Sequence, residues 1–342
     1  MKKILVVLLA LLIIFGISGA VFAEGPNGDS YQDIGTINLS KKFTLTNADT
    51  VNMAETFTFK IKPYSVSEAG AGITVENMPM FAGYTGNGAD RQATVTIAFA
   101  AGSATTAGTT LTAGLTLPTY ATVGIYTYQI SETVGSTGGV SYDSNPMYLT
   151  VTVVQLESGL ARIPILHYGT LTGSKSEYFQ NTYSAGSLQI SKTVGGIFGD
   201  KTKYFEVKVK IIAEPGKTNY AAAYSVSGGS YTGNPTSIAV GSETTFQLKH
   251  GETITIANLP YGLTYTVVES DYTGAGYVAA AYSFSDEAKK IDTARDTVGI
   301  SNTKGGTPDT GVSLDSLPYI VIAVLAGAGL ILYLAGRRKL EE

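Results

Sequence analysis

The sequence predicts an all-β protein in which two tandem β-sandwich domains lie between an N-terminal export segment and a C-terminal membrane-anchoring segment. Three observations predict this organisation. Short runs of alternating apolar and polar residues recur through the middle of the chain, as in half-buried strands. The 342 residues include 40 Gly and 22 Tyr, which is typical of strands joined by tight turns. Long unbroken apolar runs occur only near the two ends.

The N-terminal end has the features of a secretory signal peptide. Two lysines precede an apolar run that begins at Ile4, and small residues follow it. A cleavage site is predicted after Ala23, so residues 1–23 are expected to be removed on export. Residues 24–33 are polar and contain Gly and Pro, and they are expected to form a leader before the first domain.

The composition excludes several classes of function. The formal net charge is −4 and charged residues make up 15%, so no basic surface for nucleic acid is expected. The chain has no Cys and two His, which argues against a structural zinc site, and no cofactor is predicted. An exported protein could use disulfides, so this one must be stabilised in another way.

The first domain is predicted to span residues 34–185. Its strands follow from the period-two alternation, in which every second residue faces the core. Residues 100–118 are rich in Ala, Gly and Thr, and the pattern leaves open whether they form a loop or a weak strand. The predicted inward positions are Ile37, Leu39, Lys41, Phe43, Phe57, Phe59, Ile61, Val95, Ile97, Phe99, Tyr126, Tyr128, Ile130, Glu132, Met147, Leu149, Val151, Val153, Phe179, Asn181 and Tyr183.

The second domain is predicted to span residues 186–306, after the small polar stretch Ser184-Ala185-Gly186. It repeats the same kind of alternation. The runs on either side of Lys249-His250-Gly251 look like the two strands of a hairpin. The predicted inward positions are Leu188, Ile190, Lys192, Phe205, Val207, Val209, Ile211, Phe246, Leu248, Ile254, Ile256, Tyr265, Val267, Glu269, Val298, Ile300 and Asn302.

Three polar residues recur in the same order in both domains, each in the strand phase of its apolar neighbours. A Lys follows Ile-x-Leu-x or Leu-x-Ile-x, a Glu follows Tyr-x-Ile-x or Tyr-x-Val-x, and an Asn precedes Thr near the last strand. Pleat geometry therefore directs all six side chains inward. Lys42 is adjacent to the first Lys but has the opposite phase. The recurring residues are Lys41, Glu132 and Asn181 in the first domain, and Lys192, Glu269 and Asn302 in the second.

Buried Lys, Glu and Asn side chains in one place can form a covalent bond. Burial lowers the pKa of an amine and raises that of a carboxyl, so both groups become neutral. A neutral amine is a nucleophile, a protonated carboxyl can transfer protons, and a carboxamide is the electrophile. The products would be an amide crosslink and ammonia. In the alternative interpretation, Lys41 and Lys192 lie at solvated strand ends and the two Asn residues begin turns.

These features resemble the isopeptide-bonded backbone pilins of Gram-positive bacteria, of the streptococcal T-antigen type. The stretch 124–132, followed by Tyr142-Asp143 and the strand at 147–153, is similar to the pilin linkage domain of that family. The resemblance implies Ig-like sandwiches in both domains. It also implies a Lys41–Asn181 bond assisted by Glu132.

The second domain resembles a Cna-B-type module. The similar stretches are 188–194, 258–262 and 265–269 followed by Gly276-Tyr277. The stretch from 265 is similar to the pilin "E box", although Ser270 replaces the usual Thr. The resemblance implies a Lys192–Asn302 bond assisted by Glu269.

Residues 307–342 resemble a cell-wall sorting signal. An apolar run at 318–335 is about long enough to cross a bilayer, which takes ~20 residues, and a basic cluster follows it. In the family a sortase cleaves between Thr and Gly, and the first motif position is usually Leu rather than Thr. The alternative is a plain membrane anchor. The motif here is Thr307, Pro308, Asp309, Thr310 and Gly311, with cleavage expected between Thr310 and Gly311.

The resemblance implies a structural subunit of a sortase-polymerised pilus on the cell surface, made as a membrane-inserted precursor and attached to the cell wall through Thr310. Its partners would be sortase, neighbouring subunits and peptidoglycan. The resemblance does not decide whether it also binds a host or cell-surface ligand. The alternative is a monomeric wall-anchored adhesin or minor pilin of the same domain type. An enzyme acting on external substrate is disfavoured, since neither His167 nor His250 belongs to a nucleophile–base motif.

Polymerisation would also need an acceptor lysine on the next subunit. Lys175 is the candidate, because it lies in a turn six residues before Asn181, a placement similar to that of the family's polymerising lysine. An ordinary surface lysine is the other interpretation of Lys175. Lys60, Lys62 and Lys201 remain alternatives.

Overall fold

The computed structural model describes residues 23–24, 30–175, 178–306, 322–328 and 330. Within these residues the chain forms twenty strands, β1 to β20, and two short 3-10 helices at Gly88–Asp90 and Thr273–Ala275. The predicted all-β, multidomain class is confirmed. Strands β1 (Ala23–Glu24) and β2 (Ser30–Tyr31) form a small antiparallel pair of their own.

Strands β3 to β11 form the two sheets of what we call the first domain. Their bounds are β3 Thr36–Leu45, β4 Glu55–Ser67, β5 Ala93–Phe99, β6 Thr109–Thr116, β7 Gly124–Glu132, β8 Val140–Ser141, β9 Met147–Leu156, β10 Gly159–Tyr168 and β11 Tyr178–Tyr183. One sheet has five strands in the order β10-β9-β7-β4-β5, and the other has four in the order β6-β3-β11-β8. Buried side chains of both sheets form one hydrophobic cluster, as in a sandwich.

Strand β6 answers the question that the sequence left open at residues 100–118. It pairs antiparallel with β3 at the edge of the four-stranded sheet. Leu115 is its one buried side chain, and most of the others are exposed. An edge strand with so little apolar surface gives a weak alternation, which explains why the sequence pattern did not distinguish a strand from a loop.

Strands β12 to β20 form the two sheets of the second domain. Their bounds are β12 Ala185–Gly195, β13 Phe205–Ile212, β14 Tyr224–Gly228, β15 Ser237–Ile238, β16 Glu243–Leu248, β17 Thr253–Pro260, β18 Thr264–Glu269, β19 Ala281–Phe284 and β20 Arg295–Thr303. A six-stranded sheet has the order β15-β14-β17-β12-β20-β19, and a three-stranded sheet has the order β16-β13-β18. A second hydrophobic cluster lies between them.

The predicted hairpin across residues 249–251 is wrong. Strand β16 pairs with β13 in the three-stranded sheet, whereas β17 pairs with β12 and β14 in the other sheet. The turn therefore carries the chain from one sheet to the other. Alternation identifies the buried face of each strand, but it does not identify the strand's partner.

The two domains follow one another with Ser184 alone between β11 and β12. Asn47 of the first domain donates from Nδ2 to the Ala185 carbonyl at 2.6 Å and to the Tyr261 hydroxyl at 2.8 Å. On another side of the junction, Thr137 and Asn219 form a parallel β-bridge. The domains thus contact each other beyond their covalent connection.

The predictions for the two ends of the chain fall mostly outside the described residues. This holds for the signal peptide before Ala23, for the motif from Thr307 to Gly311 and for most of the apolar run that follows. Residues 322–328 are helical. In the part of the chain that the structure describes, no helix has both the length and the apolar character needed to cross a membrane.

Candidate crosslinking sites

The first and last strands of each domain pair in parallel, and this pairing brings the predicted lysines and asparagines together. In the first domain Lys41 on β3 is opposite Phe179 on β11, two positions before Asn181. In the second domain Lys192 on β12 is opposite Ile300 on β20, again two positions before Asn302. The same diagonal offset therefore recurs in both domains.

Glu132 bridges the other two residues of the first site. Its Oε2 atom accepts from Lys41 Nζ at 2.5 Å, and its Oε1 atom accepts from Asn181 Nδ2 at 2.5 Å. The Lys41 and Glu132 side chains are both 0% exposed. Strand β7, which ends at Glu132, belongs to the opposite sheet, so the carboxyl reaches the Lys–Asn pair across the core.

Aromatic rings surround the Lys41 amine. Its Nζ atom lies 4.7 Å from the ring centroid of Phe57 and 5.8 Å from those of Phe59 and Phe179. Ring faces attract a cation, but they do not replace the water that a charged amine loses on burial. Glu132 is therefore the strongest interaction that favours the charged form of this lysine.

Burial shifts both titratable groups towards their neutral forms. It lowers the pKa of Lys41 to about 8, although the negative charge of Glu132 opposes this shift. Burial also raises the pKa of Glu132, against the opposing effect of Lys41. The neutral amine and the protonated carboxyl are thus closer in free energy to the ion pair than they would be in water.

This arrangement can support a reaction in which the Lys41 nitrogen replaces the amide nitrogen of Asn181 and ammonia is released. The neutral Lys41 amine would attack Cγ of Asn181 and form a C–N bond, while protonated Glu132 gives its proton to Nδ2 and accepts one from Lys41 Nζ. The original C–N bond of the carboxamide would then break to release ammonia. The carboxyl ends as it began, so no other reactant is needed.

The second site contains the predicted residues in a different arrangement. Lys192 Nζ lies 2.8 Å from Glu269 Oε1, and it also donates to Asn302 Oδ1. The Lys192 and Glu269 side chains are 0% exposed. The Glu269 carboxylate makes no further hydrogen bond within the described residues, so it contacts the amine and does not bridge to the amide.

Burial acts on the lysine of the second site in the same direction as on Lys41. Burial lowers the pKa of Lys192, and the hydrogen bond and negative charge of Glu269 oppose this shift. Lys192 Nζ lies 4.3 Å from the ring centroid of Phe205. That ring is flanked edge-on by Tyr272 and Tyr277, at centroid distances of 4.8 and 5.3 Å.

All six predicted residues are thus placed in two buried clusters, one in each domain. Lys42 points away from the first cluster, is half-buried and lies 5.8 Å from the Tyr178 ring centroid. The sequence predicted Phe57 and Phe205 as inward positions, but it did not identify them as the rings that contact the two amines. It also assigned no role to Asp143, which contacts Asn181.

The candidate acceptor Lys175 is exposed in the segment between β10 and β11. Among the alternatives, Lys60 and Lys201 are exposed and Lys62 is half-buried. The two histidines contact the backbone: His167 Nδ1 lies 2.9 Å from the Gly173 carbonyl, and His250 Nδ1 accepts from Val194 N at 2.9 Å. Within the described residues no group of three His, Asp or Glu is arranged to hold a metal ion.

The low pKa of Lys41 predicts a pH dependence of stability in a protein that cannot form the first bond. In Asn181→Ala, Lys41 has a pKa near 10.5 when unfolded and about 8 when folded, so the unfolded chain binds more protons between these values. The free energy of unfolding should therefore rise from pH 8 to pH 10.5, by up to roughly 3 kcal/mol. Urea titrations across this range measure the rise.

The matched control for this titration is the double variant Lys41→Met/Asn181→Ala, which lacks the amine. Tyrosines and other lysines titrate in both proteins, so the difference between the two curves reports Lys41 together with Glu132, whose pKa the Lys41 charge lowers. Parallel curves would show that Lys41 keeps an ordinary pKa in the folded protein.

Known proteins resemble this chain in sequence and in fold. Residues 37–184 match the family described as "Spy0128-like isopeptide containing domain", and residues 186–304 match a domain of unknown function, DUF7601. A curated protein of Streptococcus pyogenes serotype M1 described as "Pilin" is 26% identical over 327 residues, which cover 90% of this chain and 92% of that protein. Residues 37–184 belong to this isopeptide-containing family, and over most of its length the chain is similar to a pilin. The chain also resembles the crystal structure of the major pilin from Streptococcus pyogenes in fold, with a TM-score of 0.52 and 23% identity over 80% of this chain and 99% of that one.

A second relative matches the chain less extensively. The pilus tip adhesin Cpa of Streptococcus pyogenes is 31% identical over 132 residues, which cover 37% of this chain and 18% of the adhesin. The match to a domain of unknown function assigns no role to the second domain. The Cna-B-type resemblance of that domain therefore stays a prediction.

Proposed function

We propose that this chain is a pilin, the backbone subunit of a sortase-polymerised surface pilus, and that each of its two domains is closed by an autocatalytic Lys–Asn isopeptide bond. The observation that carries the proposal is the recurrence of a buried Lys, Glu and Asn at one diagonal strand offset in both domains. A packed core rarely contains a Lys and a Glu at 0% exposure, because each charge loses its hydration. Conversion of the amine into an amide removes that cost.

Neighbouring subunits would be joined by sortase, which links Thr310 of one subunit to a lysine of the next. Sortase would cleave between Thr310 and Gly311 and hold Thr310 as an acyl group. Lys175 of the next subunit would then accept that acyl group, and the last subunit would be passed to peptidoglycan. The signal peptide and the C-terminal apolar run would hold the precursor at the membrane until cleavage.

The runner-up is a monomeric wall-anchored adhesin or minor pilin. The extent of the matches favours the backbone subunit, since the pilin relative covers 90% of this chain and the tip adhesin covers 37%. Pilins of this kind are structural proteins. The crosslinking proposed here is a single turnover within the chain, which differs from enzymatic action on an external substrate.

The mass of the recombinant mature protein, residues 24–310, tests the crosslinks. Each bond releases one ammonia, so we expect a deficit of two ammonias, about 17 Da each. Glu132→Ala should restore one of them and Glu269→Ala the other, because each carboxyl serves its own domain. A protein with the unmodified mass would overturn both bonds, and a single deficit would assign the chemistry to one domain.

A sortase-dependent ladder of high-mass species in the native cell envelope tests the backbone role. We expect the ladder in cells that make sortase and its absence when the sortase gene is deleted. A single wall-attached species in both strains would favour the monomeric adhesin.

A further inference from the structure

A second carboxyl group lies beside the first site and has no part in the proton transfers described above. Asp143 follows β8 and is 9% exposed. Its backbone N–H donates to Asn181 Oδ1 at 2.8 Å. The carbonyl oxygen of the reacting amide therefore has a buried donor on one side, while its Nδ2 faces Glu132 on the other.

The Asp143 carboxylate is held by groups on three sides. The Tyr168 hydroxyl at the end of β10 donates to its two oxygens at 2.8 and 2.9 Å. The backbone N–H of Gln180 on β11 donates at 3.2 Å, and that of Asn145 donates at 3.0 Å. These bonds fix the turn after β8 against the strand that carries Asn181, so they also fix the direction of the Asp143 N–H.

The position of this N–H matters for the chemistry of the first crosslink. Attack of the Lys41 amine on Cγ would move negative charge onto Oδ1 of Asn181, at the atom that the Asp143 N–H already contacts. A fixed donor at the site of developing charge stabilises a tetrahedral intermediate, and one such donor is typically worth about 10²–10³ in rate. The donor must be in place before reaction, which is what the Asp143 carboxylate contacts provide.

The charge of Asp143 also acts on the two titrating groups. Burial is the main cause of the raised pKa of Glu132, and the negative charge of Asp143 adds to it. The same charge slightly opposes the loss of pKa at Lys41. Asp143 therefore favours protonated Glu132, the form that can donate to the leaving group.

We propose that Asp143 is a positioning residue for the first crosslink: Tyr168 and Gln180 hold its carboxylate, so that its backbone N–H acts as the oxyanion donor to Asn181. This inference rests on the proposed isopeptide reaction. The second domain provides an internal reference, because Asn302 Oδ1 there contacts the Lys192 amine. Its crosslink should not depend on Asp143.

The test follows the formation of both bonds in the same molecules. The full chain is made by cell-free translation with lipid vesicles, translation is arrested, and samples are quenched in denaturant at timed intervals. After proteolysis, mass spectrometry measures the Lys41–Asn181 and Lys192–Asn302 peptide pairs separately. Asp143→Ala is expected to slow the first bond by about tenfold to a hundredfold and to leave the second unchanged.

Two further variants separate positioning from folding. Asp143→Asn keeps an oxygen that can accept from Tyr168 and Gln180, so it should recover most of the rate lost in Asp143→Ala. It lacks the charge, so the decline of the rate at high pH should move to lower pH as Glu132 becomes more acidic. Tyr168→Phe removes one donor to Asp143 and should slow the first bond by a smaller factor.

The outcomes are distinct. A wild-type chain with neither peptide pair would overturn the isopeptide reaction and this inference with it. A wild-type chain that forms both bonds, together with an Asp143→Ala variant that forms the first bond at the wild-type rate, would overturn this inference alone. Equal slowing of both bonds, or a uniform loss of rate at every pH in Asp143→Asn, would also overturn it, because folding would then explain the effect.

Discussion

Replacement of Asn181 by Ala should lower the free energy of unfolding of the first domain by about 4–5 kcal/mol and remove one ammonia deficit from the mass. The Lys41–Asn181 bond would close a loop of 181 − 41 = 140 residues. In the chain-entropy model a crosslink over a loop of ~100 residues contributes about 4.7 kcal/mol, because it restricts the unfolded chain. The chain has no Trp, so circular dichroism and tyrosine fluorescence in guanidinium are the suitable measurements.

The matched control for this variant is Lys42→Met. Lys42 is the next residue on β3 but faces away from the site, with its amine 5.8 Å from the Tyr178 ring centroid. The Lys42→Met variant should keep both ammonia deficits. It should change the free energy of unfolding by less than about 1 kcal/mol, as substitutions outside the core usually do. An Asn181→Ala protein as stable as the control would contradict a crosslink at this site.

Replacement of Lys175 by Arg should abolish the high-mass ladder in cells that make sortase, while the monomer remains. Lys175 is exposed in the segment between β10 and β11, where an acyl-enzyme can approach it. Arg keeps the positive charge, but its guanidinium is always protonated and does not act as a nucleophile. Immunoblots of wall extracts measure the ladder, and intact mass shows whether both intramolecular bonds still form.

The controls for the Lys175 prediction are Lys60→Arg, Lys62→Arg and Lys201→Arg. Lys60 and Lys62 lie on β4, and Lys201 lies in the second domain between β12 and β13. Each control should retain the ladder. A ladder that persists in Lys175→Arg and disappears in one of these variants would move the acceptor to that lysine.

The strand pattern and the inward direction of the six polar residues could be predicted from the sequence, because both depend on local pleat geometry. Lys41 and Lys192 are two examples: each follows apolar residues of the same phase, and each is about 1% exposed or less. The alternation of a single strand contains this information. Strands β4 and β13 show this most directly, since the residues predicted to face inward on them are all buried.

Pairing between distant strands could not be predicted in the same way. The diagonal offset of Lys41 and Asn181 depends on the parallel register of β3 with β11. The predicted hairpin at residues 249–251 was wrong because it, too, required knowledge of which strands pair. Register is fixed by contacts over the whole sheet. No contact of Asp143 with Asn181 could be predicted for a related reason, since this contact is made by a backbone N–H and does not depend on the side-chain type.

The parallel pairing of first and last strands has a mechanical consequence that differs between the two domains. With Lys175 as the point where tension enters, the loaded backbone runs through β11 directly into β12 and bypasses β3 to β10. In the first domain the bond to Lys41 would therefore act as an anchor that prevents extraction of β11. In the second domain the bond from Lys192 to Asn302 would bridge the entry and exit strands, so the 302 − 192 − 1 = 109 residues between them would carry no load and could not lengthen the fibre.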